Sequence, residues 1–392
     1  MVTGTGNEQV GRHIMSAKLA RLEIIHFRYA LPTPVPTAMG PLRYRPALLL
    51  RLEDSEGFFG WGEIWCNFPP DGDLHRARLA LNVLGAALSG LEVATDKPFE
   101  VIRRRLHRLV LQAGEPGPVA QISAGLDIAL CDLRARRVGQ PLAVWLGGHV
   151  RPVPAYASGI SPDHSAEQIE RMRRLGYFRF KQRIGFGPDD GLGAAEETAS
   201  ALAADEKLMV DANQAWDLET ARRQCRRLAP LDLLWIEEPL PADVPLEDWV
   251  TLAQEMPMPI AAGENIASDE AFEQAVGAAA LRYLQPDICK WGGLSGGAVV
   301  ARAAEAAGIT YCPHFLGGGV GLIASAHLLS AIGGQGLLEV DGSENPLLEA
   351  LCWRDLSLTD GMFALPKGMG LGYDPDMGAV ADLLTSHEEV RL

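Results

Sequence analysis

Seven polar residues recur through the second half of the chain at nearly constant steps. Arg183, Asp211, Glu237, Glu264, Asp287, His314 and Glu339 are separated by 28, 26, 27, 23, 27 and 25 residues. Each follows or ends a short apolar run: FRFKQR, LMVDAN, LLWIEEP, MPIAAGEN, RYLQPDICK, ITYCPH and LLEVD. Asp211, Glu237 and Glu264 supply only oxygen, which suits a hard cation such as Mg2+. Brought together without a cation, three carboxylates would repel one another and resist ionisation. Glu238 beside Glu237 leaves open which of the two faces inward. Asp287 and His314 suggest proton transfer. A carboxylate on one ring nitrogen fixes the tautomer and raises the basicity of the other. The plainer alternatives are loop acids or helix caps for the trio and a satisfied structural imidazole for His314.

Lys181 and Arg183 share one strand and, by its period of two, one face. They would bring two cations to the same place as the acids, where a substrate carboxylate is the natural occupant. Lys290 and Glu339 are further candidates, although Glu339 competes with Asp341 and Glu344. In FLGGGVG, after His314, backbone N–H groups could hold an anion. Close packing accounts for those glycines equally well. His75, His107, His164 and His327 carry no comparable signal.

A repeat of this length holds one buried strand, one helix and two loops. Its recurrence predicts parallel strands closing into a barrel, with the polar residues converging on one mouth. The first strand is expected at 153–159. An open doubly wound sheet is the competing α/β fold, but no GxGxxG follows an early strand. Upstream, AKLARLEIIHFRYAL reads as a strand and LPTPVPTAMGPLRY as a proline-rich loop. A hairpin follows, built from LLLRLE, DSEG and FFGWGEIW, and then three helical stretches over 73–148. This divides the chain into an α+β domain over 1–150, a barrel over 151–349 and a segment over 350–392 that returns to the first domain. Residues 1–14 read as a disordered arm without the apolar core of a secretion signal.

The 392 residues exceed one ordinary core, and 47% hydrophobic with 22% charged residues is a globular composition. A formal charge of −15 argues against nucleic acid as a partner. No apolar stretch is long enough to span a bilayer. Six scattered cysteines suggest reduced thiols in a cytosol.

On these residues the chain resembles the enolase superfamily, in its mandelate racemase/muconate lactonizing enzyme group, from about residue 17 to 375. The resemblance implies an N-terminal α+β capping domain on a modified (β/α)7β TIM barrel. It implies metal ligands at Asp211 in VDAN, Glu237 in WIEEP and Glu264 in AGEN. It also implies a His–Asp dyad at His314 and Asp287, a substrate-carboxylate partner at Glu339 and a KxK motif at Lys181 and Arg183. Asn213 and Lys290 are candidate substrate ligands. Capping loops 31–40 and 64–72 are expected to close over the mouth, bringing Met39, Trp65 and Phe68 to the distal part of the substrate.

The departure is Arg183, where the family has a second lysine. Arginine is a poor proton acceptor. One clear base remains, His314, which favours α-proton abstraction and β-elimination of water, as in the acid-sugar dehydratases this chain resembles. Racemisation or epimerisation would need a second base, and a non-catalytic barrel scaffold is the rival from another class. The expected partner is a small hydroxycarboxylate or acid sugar, and the resemblance implies a symmetric homo-oligomer between dimer and octamer.

Overall fold

The computed structural model describes residues 16–35, 37, 39–352 and 356–392. The expected arm at 1–14 lies outside them. Strands β1 (Leu19–Val35), β2 (Leu42–Asp54) and β3 (Phe59–Ile64) form an antiparallel meander. The predicted hairpin turn is present. Asp54 Oδ1 accepts from the N–H groups of Glu56 at 2.9 Å and Phe58 at 3.1 Å. The proline-rich loop begins later than expected. Residues 31–35 continue β1 in extended form and pair again only at Val35 with Leu42, after a register shift beyond Ala30. Proline is compatible with extended backbone but cannot donate to the ladder, so Pro32 and Pro34 interrupt pairing there without bending the chain.

Helices Gly72–Leu88, Pro98–Ala113 and Pro116–Arg137 accompany this sheet. The last lies directly on β3 because Gly60 and Gly62 face it. A Cβ on either would come within 2.2 Å of Ala129 O or 2.0 Å of Gly125 O. Alternation then gives Trp61 and Glu63 to the opposite face.

The barrel strands are β4 (Val153–Ile160), β5 (Arg179–Arg183), β6 (Lys207–Asp211), β7 (Ile236–Glu237), β8 (Ile260–Ala262), β9 (Tyr283–Leu284), β10 (Thr310–Tyr311) and β11 (Leu338–Asp341). They run parallel in that order, and β11 pairs with β4. Among the described residues no ladder joins β10 to β11, although Leu337 N–H reaches Cys312 Sγ at 3.3 Å across that seam. Tyr156, Met209, Trp235, Ala261, Cys312 and Leu337 form a buried cluster. All but Ala261 lie two residues before Ser158, Asp211, Glu237, His314 or Glu339. One pleat further along each strand, the inward position is therefore polar, and this is how the repeat delivers its chemistry to one mouth. Beyond the barrel, β12 (Met362–Phe363) pairs antiparallel with β4, and β13 (Leu384–Arg391) with β1.

Candidate active site

The mouth holds a cavity of about 250 Å³. The barrel contributes Lys181, Arg183, Asp211, Asn213, Glu264, Lys290, His314 and Glu339 to its wall, and the capping domain contributes Met39, Trp65 and Phe68. Glu237 and Asp287 lie behind that wall, each bonded to a residue in it. Every residue singled out from the sequence is thus in one neighbourhood, although they come from positions 39 to 339.

His314 Nδ1–H donates to Asp287 Oδ2 at 2.8 Å, and Nε2–H donates to Glu264 Oε2 at 2.8 Å. Asp287 is held in turn by the N–H groups of Cys289 at 2.8 Å and Lys290 at 3.2 Å. Burial alone would lower the imidazole pKa. Glu264, Glu339 and the Asp287 hydrogen bond overcome it and raise it well above the usual value. Carboxylates therefore face both ring nitrogens, and Asp287 fixes the plane of the ring from behind.

Lys181 reaches Glu237 Oε1 at 2.5 Å and Glu339 Oε1 at 2.8 Å, with Asp211 at 3.7 Å. Burial opposes its charge, but these carboxylates raise its pKa well above the ordinary lysine value. Lys290 donates to Asn265 Oδ1 at 2.8 Å, lies 3.5 Å from Glu264 and sits 4.7 Å from the centre of the Trp65 ring. Arg183, half-buried, makes no ion pair within 4.0 Å among the described residues. It leans over Gly159 toward Asp341 and Ser343.

The expected three-acid cage is not preformed. Among the described residues no group of three His, Cys, Asp or Glu side chains is arranged to hold a metal ion. Glu237 faces the barrel axis, and its second oxygen accepts from Gln285 Nε2 at 2.7 Å and Trp235 Nε1 at 3.1 Å. Glu238 is also buried. Its φ of +38° breaks strand alternation, and Asn265 Nδ2 contacts its two oxygens at 3.0 and 2.9 Å. Burial first, then Glu264 and Asp211, pushes Glu238 well above the carboxylate range. Burial and Glu264 likewise raise Asp211. Oxygen-only donors crowded in this way, with His314 and Lys290 drawing on Glu264, have the chemistry a hard divalent cation relieves. The donor set fits such an ion even though the side chains are turned to other partners.

Several participants carried little signal in the sequence. Asn265 bridges Glu238 and Glu264 and Gln285 holds Glu237, but both are ordinary polar residues beside stronger motifs. Glu63 was readable from the alternation of FGWGEIW, yet its role depends on the other domain. Its carboxyl group is what the glycine run holds: Oε2 accepts from Gly321 N–H at 2.8 Å and Oε1 from Gly318 N–H. Burial still pushes its carboxyl up to about 7. His327 is structural. It accepts from Ala143 N–H and donates to Leu371 O, each at 3.2 Å. The competitors of Glu339 are also explained, since Asp341 faces the buried Arg45 at 3.5 Å and Glu344 accepts from Tyr29 OH at 2.6 Å.

A capped parallel barrel whose strand ends present a His–Asp dyad, a buried lysine and clustered acids is the architecture of a barrel enzyme. The chain belongs to the mandelate racemase/muconate lactonizing enzyme family of the enolase superfamily. The N-terminal domain model of that family matches residues 21–147, and the model described as enolase C-terminal domain-like matches residues 164–379. Over 358 residues the chain is 31% identical to L-talarate/galactarate dehydratase of Salmonella typhimurium, covering 88% of this chain and 85% of that protein. Other relatives include arabinonate dehydratase and D-galactarolactone cycloisomerase. A crystal structure of a mandelate racemase/muconate lactonizing enzyme from Bordetella bronchiseptica is 47% identical, with a TM-score of 0.87, covering 94% of this chain and 99% of that one. A racemase from Streptomyces coelicolor solved with bound magnesium is 28% identical, with a TM-score of 0.80, covering 94% and 100%. The chain is an enzyme, with homology to the lyases of this superfamily.

Proposed function

We propose that the chain is a Mg2+-dependent acid-sugar dehydratase. It removes the α-proton of a hydroxycarboxylate, expels the β-hydroxyl as water and releases an enol that tautomerises to a 2-keto acid. The observation that carries this reading is a single oriented imidazole, His314 on Asp287, in a mouth whose other cations cannot serve as a second base. A guanidinium such as that of Arg183 is a poor proton acceptor. Lys181 is tied to Glu237 and Glu339.

Asp211, Glu237 and Glu264 would hold the Mg2+, with Glu238 alongside, and the ion would stabilise the negative charge that builds on the substrate carboxyl group. Lys181 adds a fixed positive charge beside that group, and Glu339 orients Lys181. His314, as the neutral base, takes the α-proton at Nε2 and returns a proton to the departing hydroxyl. Asp287 keeps the ring in register through both transfers. Arg183 binds the substrate, Asn213 and Lys290 meet its polar groups, and Met39, Trp65 and Phe68 exclude water from its distal end. The six cysteines, none in a disulfide, fit a reducing cytosol. We also infer a symmetric homo-oligomer and the domain division at residues 150 and 349.

The test is a library of acid sugars incubated with enzyme and Mg2+, with 2-keto acid trapped as its semicarbazone. Product should form from at least one member, vanish with chelator and return with Mg2+. Deuterium from D2O in both epimers of recovered substrate would establish racemisation instead. Absence of turnover together with indifference to chelation would leave a scaffold.

A further inference from the structure

Between His314 and the helix Gly319–Ile332 the chain has no regular structure of its own. Its polar backbone groups must therefore be held from elsewhere. Phe315 N–H donates to Glu339 Oε2 at 3.2 Å, and Gly317 O accepts from Asn345 Nδ2 at 3.0 Å; both partners belong to the β11 region. His314 N–H itself donates to Pro286 O of the barrel at 3.3 Å, and two further anchors come from the capping domain. Leu316 O accepts from Asn67 Nδ2 at 2.6 Å, and Glu63 takes the N–H groups of Gly318 and Gly321.

Glu63 is only 2% exposed, and room for it exists because positions 317 and 318 lack side chains. A Cβ there would lie 2.7 or 3.0 Å from Glu63 Oε1. The carboxylate also sits at the N-terminal end of a fourteen-residue helix, where a negative charge is favoured. Phe315 packs against Gly321 and leaves no space for a Cβ there, so the His314 loop is packed directly on the start of the helix.

We propose that Glu63 and Asn67 are positioning residues for His314, through which seating of the capping domain sets the aim of the catalytic imidazole. The dyad bond to Asp287 fixes one ring nitrogen. The direction of the other depends on where the 314–318 backbone lies, and two of its anchors belong to the domain that covers the substrate. This inference rests on His314 being the base. It assigns the cap a part in catalysis beyond lining the cavity.

The test compares Glu63→Gln and Asn67→Ala with the parent enzyme by two readouts. The first is kcat against KM on whichever acid sugar the library yields. The second is the imidazole 15N and Nδ1–H signals of His314, assigned by their loss in His314→Asn, which need no substrate. Glu63→Gln should lower kcat by about 10- to 100-fold, in line with a displacement on the order of an ångström, with KM within about threefold. It should also shift or broaden the His314 signals. Asn67→Ala loses one hydrogen bond and should show the same pattern more weakly, and it stands as the test if Glu63→Gln does not fold. A variant with lowered melting temperature but unchanged kcat and unchanged His314 signals would overturn the proposal and leave Glu63 as a domain staple. If no acid sugar is turned over, the proposed reaction fails, while the magnetic resonance arm still decides whether the cap positions the ring.

Discussion

The capping domain and the barrel mouth both bury acids, and they treat them in opposite ways. In the cap, each buried carboxylate is surrounded by donors. Asp132 accepts from Trp61 N–H at 2.8 Å, Leu371 N–H at 2.6 Å and Arg136 Nε at 3.0 Å. Asp127 accepts from Phe99 N–H at 3.2 Å and from Ser295 N–H at 2.9 Å. Asp73 meets His26 at 2.8 Å and Arg28 at 2.7 Å. At the mouth, Asp211, Glu238 and Glu264 face one another, and Asp211 and Glu238 are pushed up by that proximity as well as by burial. A buried acid alone therefore says little about function. Crowding of like charge, only partly compensated by Lys181, Lys290 and His314, is the informative feature, because it has no structural benefit.

The largest effect should come from the dyad. His314→Asn is expected to lower turnover by roughly 10³-fold or more with circular dichroism and magnesium binding nearly unchanged. Full activity in that variant would remove the base from the mechanism. A paired substitution then sets the two regions against each other. Asp211→Asn should abolish activity and the Mg2+-induced rise in melting temperature, while the metal-free protein becomes no less stable, because a repulsive charge has been removed. Asp132→Asn should do the reverse, costing about 2 kcal/mol in urea unfolding with kcat within about threefold. Equal effects of the two on stability would break the contrast.

A further prediction, spread over a wide pH range, concerns His327. Burial lowers its pKa to about 4, against an ordinary value near 6.5. A group depressed in this way stabilises the fold fully above its unfolded pKa, and that stability is lost as pH falls from about 6.5 through about 4. The full span is on the order of 3 kcal/mol. His327→Gln should flatten this part of the acid limb, read as the urea midpoint between pH 7 and pH 4. An unchanged slope would mean that other groups dominate it.

The barrel was legible because its signal is periodic. Each strand needs an apolar run, and each run ends where the next inward side chain reaches the mouth, so Asp211, Glu237, His314 and Glu339 could be found by counting. The proline-rich stretch departs from expectation over residues 32–35 because proline forbids ladder donation but not extended backbone. The glycine run could not be interpreted alone, since the carboxyl group it holds, that of Glu63, lies more than 250 residues away.

The order of acids, imidazole and cations along the chain, their face on each strand and the placing of Arg183 two residues after Lys181 are properties of local sequence. They depend only on side-chain type and a period of two. Which oxygen meets which cation was decided by the tertiary structure, because those pairings depend on strand closure and on how the cap is seated. The turn that buries Glu238 beside Glu264, the clamp of Glu63 and Asn67 on the His314 loop and the diversion of Glu237 to Lys181 and Gln285 all join residues whose separation in sequence carries no information about distance in space.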